Sequence, residues 1–221
     1  DLGEVRRWQH VRLVTLAPEC VAESVIEFLV GAGIVVACGH SEATFEQAKR
    51  AFDLGARYVT HLFNAMSPLH HRLPGLVGAA LSDSRITVGL IADGVHVHAE
   101  ATALAFRLAA ERLNLVSDAI ALGATPSLGG QSPTLVDGVP RLADGTLAGS
   151  ALRLDEAVRN LRRFTGCSIA DALATVTTIP GDLLGLDQRI AVGSPADLVI
   201  LNDDLTVACT IAGGRVIFKA C

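Results

Sequence analysis

Five short runs rich in β-branched residues each end in a polar side chain suited to chemistry, with helical patterns between them. The runs finish at Thr15 and Glu19 (VRLVTLAPE), His40 (IVVACGHS), His61 (YVTHLFNAM), Asp93 with His96 (ITVGLIADGVH) and Asp118 (LNLVSDA). Strands near 11–16, 34–38, 58–61, 86–91 and 114–117 alternate with helices near 21–30, 45–54, 98–112 and 155–165, which predicts βαβ units and a parallel sheet. In a parallel barrel the C-terminal strand ends converge on one rim, where the active site sits. Residues far apart in sequence then meet around one pocket, the arrangement of an enzyme.

Composition narrows the function classes. The 221 residues are 50% hydrophobic and 19% charged, so the chain is expected to fold around a sizeable core. Aromatics are only 4%, which leaves an aliphatic core of the kind that doubly covered parallel strands build. A net charge of -5 argues against nucleic acid as a partner. No apolar run approaches the roughly 18–20 residues of a membrane span. The five cysteines are odd in number and lack C-x-x-C spacing, so reduced thiols in the cytoplasm are expected rather than a disulfide framework.

Element boundaries carry their own chemistry. Thr44 followed by Gln47 fits a capping box, and Gly55 sits where a left-handed residue would end that helix. Pro18 suits a first helical turn, and Gly31 or Gly33 a helix end. Between Ala119 and Gly149 the pattern breaks into turn residues. Gly129-Gly130, Asp137-Gly138 and Asp144-Gly145 read as hairpin turns in an excursion after the fifth strand. Helical patterns resume from about Leu154 and again near 168–177. After Pro180 the character changes, and 189–218 holds short β-rich runs separated by Gly193-Ser194-Pro195, Asn202-Asp203-Asp204 and Gly213-Gly214. The expected division is a barrel-type portion over 1–184 and a β appendage over 185–221. Five strands cannot close an eight-stranded barrel, which takes roughly 250 residues. Either the sheet is open, or three βα units lie upstream of Asp1; the opening on Asp1 rather than Met accords with the second.

Several residues are candidates for chemistry. His40 and His61 directly follow neighbouring strands, and neutral imidazoles in such positions suit two of the roughly three protein ligands of catalytic zinc. The alternative is that each bonds backbone at a strand end. Asp118 is placed to act as general base, or to cap a helix or turn. The segment Asp93 to His98 reads as a loop, with His96 as a substrate contact and His98 at a helix start. Arg72 offers a planar fork for phosphate, against the alternative of a solvated loop arginine. Asn64 and Ala65 are candidates for hydrogen bonds to a polar substrate. Glu19 is a possible metal ligand, but Pro18-Glu19 also fits a helical first turn, and that structural role is the preferred reading. Nucleotide-binding glycine motifs and a G-x-S-x-G elbow are absent from the sequence; Gly149-Ser150 reads as loop.

Taken in order, GHSEAT, THLFNAMSPLHHRLPG, IADGVHVH, LVSDA, LADGTLAGSAL and the tail PADLVIL resemble the N-acetylglucosamine-6-phosphate deacetylases of the amidohydrolase superfamily. The resemblance runs over essentially the whole chain. It implies a (β/α)8 TIM-like barrel, incomplete here at about five βα units, with a small β-sandwich built from both chain ends. It implies that His40 and His61 ligand a divalent metal, usually zinc, and that Asp118 is the catalytic acid/base. Asn64, Ala65, Arg72, His96, Leu147, Ala148 and Gly149 would line the sugar-phosphate site, with Arg72 on the phosphate. A cytoplasmic enzyme, homodimeric at full length, is implied, hydrolysing N-acetylglucosamine 6-phosphate to glucosamine 6-phosphate and acetate. The sequence departs from this pattern in three ways. It has no HLEGPF-like segment with the third metal ligand, a glutamate; it has no first-strand His-x-His; and Leu73 and Gly181-Asp182 differ from the usual residues. A non-catalytic fragment, a sugar-phosphate-binding remnant, or an amidohydrolase acting on a cyclic amide or another acylated amine are the competing readings.

Overall fold

A computed structural model describes residues 10–120 and 133–220 of the chain. Five strands, β1 (Leu13–Leu16), β2 (Val35–Cys38), β3 (Tyr58–Val59), β4 (Thr87–Leu90) and β5 (Leu113–Leu115), form one sheet in chain order. Every pairing in it is parallel. Between them run α1 (Glu23–Gly31), α2 (Phe45–Asp53), α3 (Gly75–Ser82) and α4 (Ala99–Ala109), followed by α5 (Leu154–Thr165), α6 (Ile169–Ala174) and α7 (Thr178–Leu184). Val36, Cys38, Val59, Val88, Leu90 and Leu113 are fully buried, which explains the near-continuous apolar reading of the strands. These are five units of the barrel type, and the sheet has edges at β1 and β5 among the described residues.

Helix ends follow local chemistry. Thr44 Oγ1 accepts from the Gln47 amide at 3.2 Å while Gln47 Oε1 accepts from the Thr44 amide at 2.8 Å, so the capping box is complete. Gly55 follows the C-cap Leu54 with φ of 108°, and Gly33 rather than Gly31 takes the left-handed position after α1. His98 caps α4, its ring accepting from the Glu100 amide at 3.2 Å. The helix expected over 98–112 ends at Ala109 and continues only as a 3-10 turn, Ala110–Arg112.

Three elements differ from expectation. Pro18 begins a lone 3-10 turn, Pro18–Cys20, and not an α-helix. Helix α3 is unforeseen because GLVGAALS is buried all round from Gly75 to Leu81, so it lacks the polar face that makes a 3.6-residue period visible. Helix α7 runs through Pro180 to Leu184, past the helical pattern expected near 168–177 and the change of character after Pro180. Proline is tolerated there because the first four amides of a helix have no intrahelical acceptor.

Outside the sheet, β6 (Thr134–Val136) and β7 (Val139–Arg141) form a hairpin. Its turn residues Asp137 and Gly138 both have positive φ, as a tight right-twisting hairpin requires. Asp144-Gly145 closes a second turn, with the Leu142 amide bonded to Thr146 at 2.9 Å. Gly129-Gly130 lies outside the described residues. Strands β8 (Leu198–Leu201), β9 (Val207–Ala212) and β10 (Arg215–Lys219) make an antiparallel sheet ordered β10-β9-β8.

One buried carboxylate ties the lower elements together. Asp83, at the end of α3, is buried and bonded to Arg85 at 2.7 Å and to Lys49 of α2. Arg85 also reaches Asp53 at 2.9 Å. The Arg85 hydrogen bonds and then Lys49 outweigh burial and hold the Asp83 carboxyl well below the usual range. Such a group stabilises the fold fully above the ordinary carboxylate range, about pH 4, and loses that contribution as pH falls further. Asp83→Asn is expected to cost about 2 kcal/mol at pH 7. In urea unfolding, the gap between wild type and variant should narrow by pH 3.

Candidate active site

The register of the sheet sets the site. Leu16, Cys38, Val59, Val88 and Leu113 are paired across all five strands in one row. His40 and His61 each lie two residues beyond this row, at the C-terminal ends of adjacent strands. Both turn out of the strand with left-handed backbone, φ 49° and 29°, and Asp118 after β5 does the same at 50°. Positive φ is uncommon outside glycine, though His and Asp are enriched there. Held strain of this kind clusters at functional sites. It also explains why the third strand stops at Val59 and does not reach 61.

The two imidazoles meet edge to face, 4.7 Å between centroids, with Nε2 to Nε2 at 2.9 Å. His61 is buried and His40 is exposed. His61 Nδ1 lies 3.1 Å from the Asn64 carbonyl. A carbonyl only accepts, so Nδ1 carries the proton and Nε2 offers its lone pair toward His40. Burial, then the His40 ring, push the His61 pKa down, while Asp118 draws it the other way. A neutral imidazole with its tautomer fixed by a backbone carbonyl is the form that ligates a metal. Among the described residues no group of three or more His, Cys, Asp or Glu converges, so this chain presents two such donors.

Asn64 itself is spent locally. Its amide N–H bonds to the His61 carbonyl at 2.9 Å, and its side-chain nitrogen reaches the His61 and Leu62 carbonyls at 3.3 Å. Ala65, at φ 46°, is exposed, and its carbonyl accepts from the Ser41 amide. Arg72 is exposed in the loop after β3, and no ion pair among the described residues involves its guanidinium. The neighbouring His70 and His71 rings lie 4.1 Å apart.

After β4, Asp93 organises its loop. Oδ1 accepts from the Val95 and His96 amides, both at 2.8 Å, and Oδ2 meets His96 Nδ1 at 2.6 Å. Burial raises the Asp93 pKa, but the His96 ring and the two amides overcome it and hold the carboxyl low. The His96 ring is thereby fixed with Nε2 as its remaining polar atom. None of the contacts described for Arg72 or His96 reaches the histidine pair.

The excursion folds back onto Asp118. The Ser150 amide donates to the Asp118 carbonyl at 2.8 Å, and the Ile120 amide donates to the Ser150 carbonyl at 3.1 Å. Ser150 Oγ bonds the Ser117 carbonyl and accepts from the Leu152 amide. Gly149 (φ 69°) is pressed so close that a Cβ would stand 2.6 Å from Ile120 and 3.0 Å from the Asp118 carbonyl. The half-buried Leu147 and the buried Ala148 are thus carried to the same rim. Ser150, in a stretch whose sequence pattern reads as loop, is buried and bridges to Ala119. Glu19 faces the β2 loop, accepting from Ser41 and Glu42, which differs from the helix-start role expected of it. Ser41 and Ser150 escaped notice because serines in polar loops carry no periodic signal.

The profile of the amidohydrolase family matches residues 13–217. The chain belongs to the amidohydrolase family. N-acetylglucosamine-6-phosphate deacetylase from Bos taurus is 41% identical over 229 residues, covering 95% of this chain and 55% of that protein. N-acetylgalactosamine-6-phosphate deacetylase from Escherichia coli O157:H7 is 41% identical over 208 residues, covering 90% and 55%. The crystal structure of the deacetylase from Thermotoga maritima superposes with a TM-score of 0.90 at 41% identity, covering 96% of this chain and 60% of that one. A mutant from Mycobacterium smegmatis, in complex with N-acetyl-D-glucosamine-6-phosphate, gives 0.90 at 38% identity, covering 99% and 62%. The chain spans little more than half the length of the curated relatives it matches.

In this amidohydrolase, Gly149→Ala is expected to cost at least about 1 kcal/mol, because both the positive φ and the closeness of Ile120 oppose a side chain. Denaturant unfolding measures this, and a neutral result would show that the 147–150 loop is not packed on Asp118.

Proposed function

We propose that the protein containing this chain hydrolyses the acetamide of N-acetylglucosamine 6-phosphate, giving glucosamine 6-phosphate and acetate. The observation that carries the reading is the pair of strand-end histidines with converging Nε2 atoms, one tautomer fixed by the Asn64 carbonyl, with Asp118 following β5 at the same end of the sheet. The names of the relatives support the substrate. The relative named for the galactosamine epimer supports a second reading, in which the acetamido sugar phosphate differs at one hydroxyl. A non-catalytic remnant is the less favoured alternative, since such a chain has no need of three strained polar strand ends.

His40 and His61 would hold a divalent metal, with zinc the choice most in keeping with imidazole donors. When bound, such a metal lowers the pKa of water and polarises a carbonyl. Asp118 accepts the proton of the attacking water as the oxygen–carbon bond forms. It then returns that proton to the amine nitrogen as the carbon–nitrogen bond breaks. Arg72 grips the phosphate bidentately, and this remote binding energy holds the acetamide in place. His96 Nε2, Ala65 and the 147–149 loop surround the sugar. We assign residues 1–184 to the barrel portion and 185–221 to the β appendage. A cytoplasmic homodimer accords with the resemblance and with the unpaired thiols of Cys20, Cys38, Cys167 and Cys209. No helix among the described residues is long and apolar enough to cross a membrane.

Two substitutions in the enzyme test the assignment. Asp118→Asn is expected to lower kcat by about 10³-fold or more, with metal content and thermal midpoint unchanged. Wild-type turnover in that variant would overturn the proposal. Arg72→Ala is expected to raise KM for the phosphorylated sugar by about 10- to 100-fold. Hydrolysis of the unphosphorylated sugar should be unaffected by it, and equal loss on both substrates would remove Arg72 from the phosphate.

A further inference from the structure

Glu19, just past β1, reaches across to the loop that begins with His40. Its Oε2 accepts from Ser41 Oγ at 2.7 Å and its Oε1 from the Glu42 amide at 2.6 Å. Ser41 is buried and passes the connection on. Its Oγ accepts from the Ala43 amide at 3.1 Å, and its amide donates to the Ala65 carbonyl at 3.1 Å. The Ser41 carbonyl accepts from the Ser67 amide at 3.0 Å, and Ser41 bridges to Met66. Ser67 Oγ in turn donates to the Ala43 carbonyl at 2.6 Å and accepts from the Leu76 amide at 2.7 Å. One carboxylate on the first strand end therefore anchors a chain of bonds through the second and third strand-end loops to the start of α3.

We propose that Glu19 is a positioning residue for the metal site, acting through Ser41 to hold His40 in register with His61. The inference rests on reading the two histidines as metal ligands. Ser41 is the residue next to His40, whose φ of 49° needs external support. The paired strand stops at Cys38, with the Gly39 amide still bonded to the Leu16 carbonyl at 3.2 Å, so His40 lies between that ladder and the Ser41 bridge. A carboxylate with two hydrogen bonds supplies that support from the neighbouring strand, and charge-assisted bonds are about twice as strong as neutral ones. Removing outer partners of metal ligands typically costs about 10- to 100-fold in metal affinity.

The test compares wild type with Glu19→Gln, Ser41→Ala and the double variant. Zn2+ is titrated while the imidazole 15N resonances of His40 and His61 are followed, a readout that reaches millimolar affinity and needs no turnover. Expected are about tenfold weaker zinc binding at both rings in each single variant and a shifted His40 ring signal without metal. The double variant should lose less than the two single losses combined, because both single changes remove the same Glu19–Ser41 bond. Zinc affinity within twofold of wild type together with an unmoved His40 ring would overturn the proposal, even if thermal stability fell. Should Glu19→Gln fail to fold, Ser41→Ala, which removes a single oxygen, decides by the same readouts. Absence of zinc binding at these rings in wild type would defeat the metal reading instead, and the metal-free His40 signal would still decide the clamp.

Discussion

Parallel pairing of β1 through β5 in chain order fixes a common level from Leu16 across to Leu113. Everything chemical in this protein is measured from that row. Two residues beyond it, His40 and His61 emerge side by side, and a slip of one residue would turn one of them to the other face of the sheet. The row is held by apolar burial on both faces of the sheet, with Val36, Val59, Val88 and Leu113 fully enclosed. The core thus determines where the polar strand ends stand without contributing a polar atom to them.

At the rim the problem changes, because the ladder ends and the backbone turns left-handed at three candidate residues, His40, His61 and Asp118. The structure meets the cost with local hydrogen bonds. Asn64 turns its backbone and side chain to His61, Ser150 holds the Asp118 loop, and Asp93 grips His96. Glu19 and Ser41 do the same for His40. His61 and His96 are held by partners within their own loops, and the Asp118 loop and Ser41 by partners from neighbouring ones, which keeps these groups in place without lengthening the strands.

The strands and most helices were legible because their signals are periodic and local. Alternation of β-branched runs with amphipathic stretches located the five-stranded sheet, and Thr44 with Gln47 marked the start of α2. Helix α3 was hidden because burial on all sides erases the period, and α7 because Pro180 occupies a first-turn position where its missing N–H costs nothing. The histidines, Asp118 and Arg72 could be nominated from strand ends and from resemblance. Ser41, Ser150 and the reach of Glu19 could not, since a serine in a loop looks alike whether it bridges two strand ends or faces water.

By itself the sequence determined the order of elements, the aliphatic core and which polar residues terminate each strand. It did so because these depend on spacing along the chain. The tertiary structure alone decided which of those residues meet: His61 with His40, Gly149 against Asp118, and Glu19 with Ser41, 22 positions away. Such contacts depend on the register between strands and on the backbone dihedrals at their ends. Neither is written in any local pattern, because both are set by packing between segments distant in the chain.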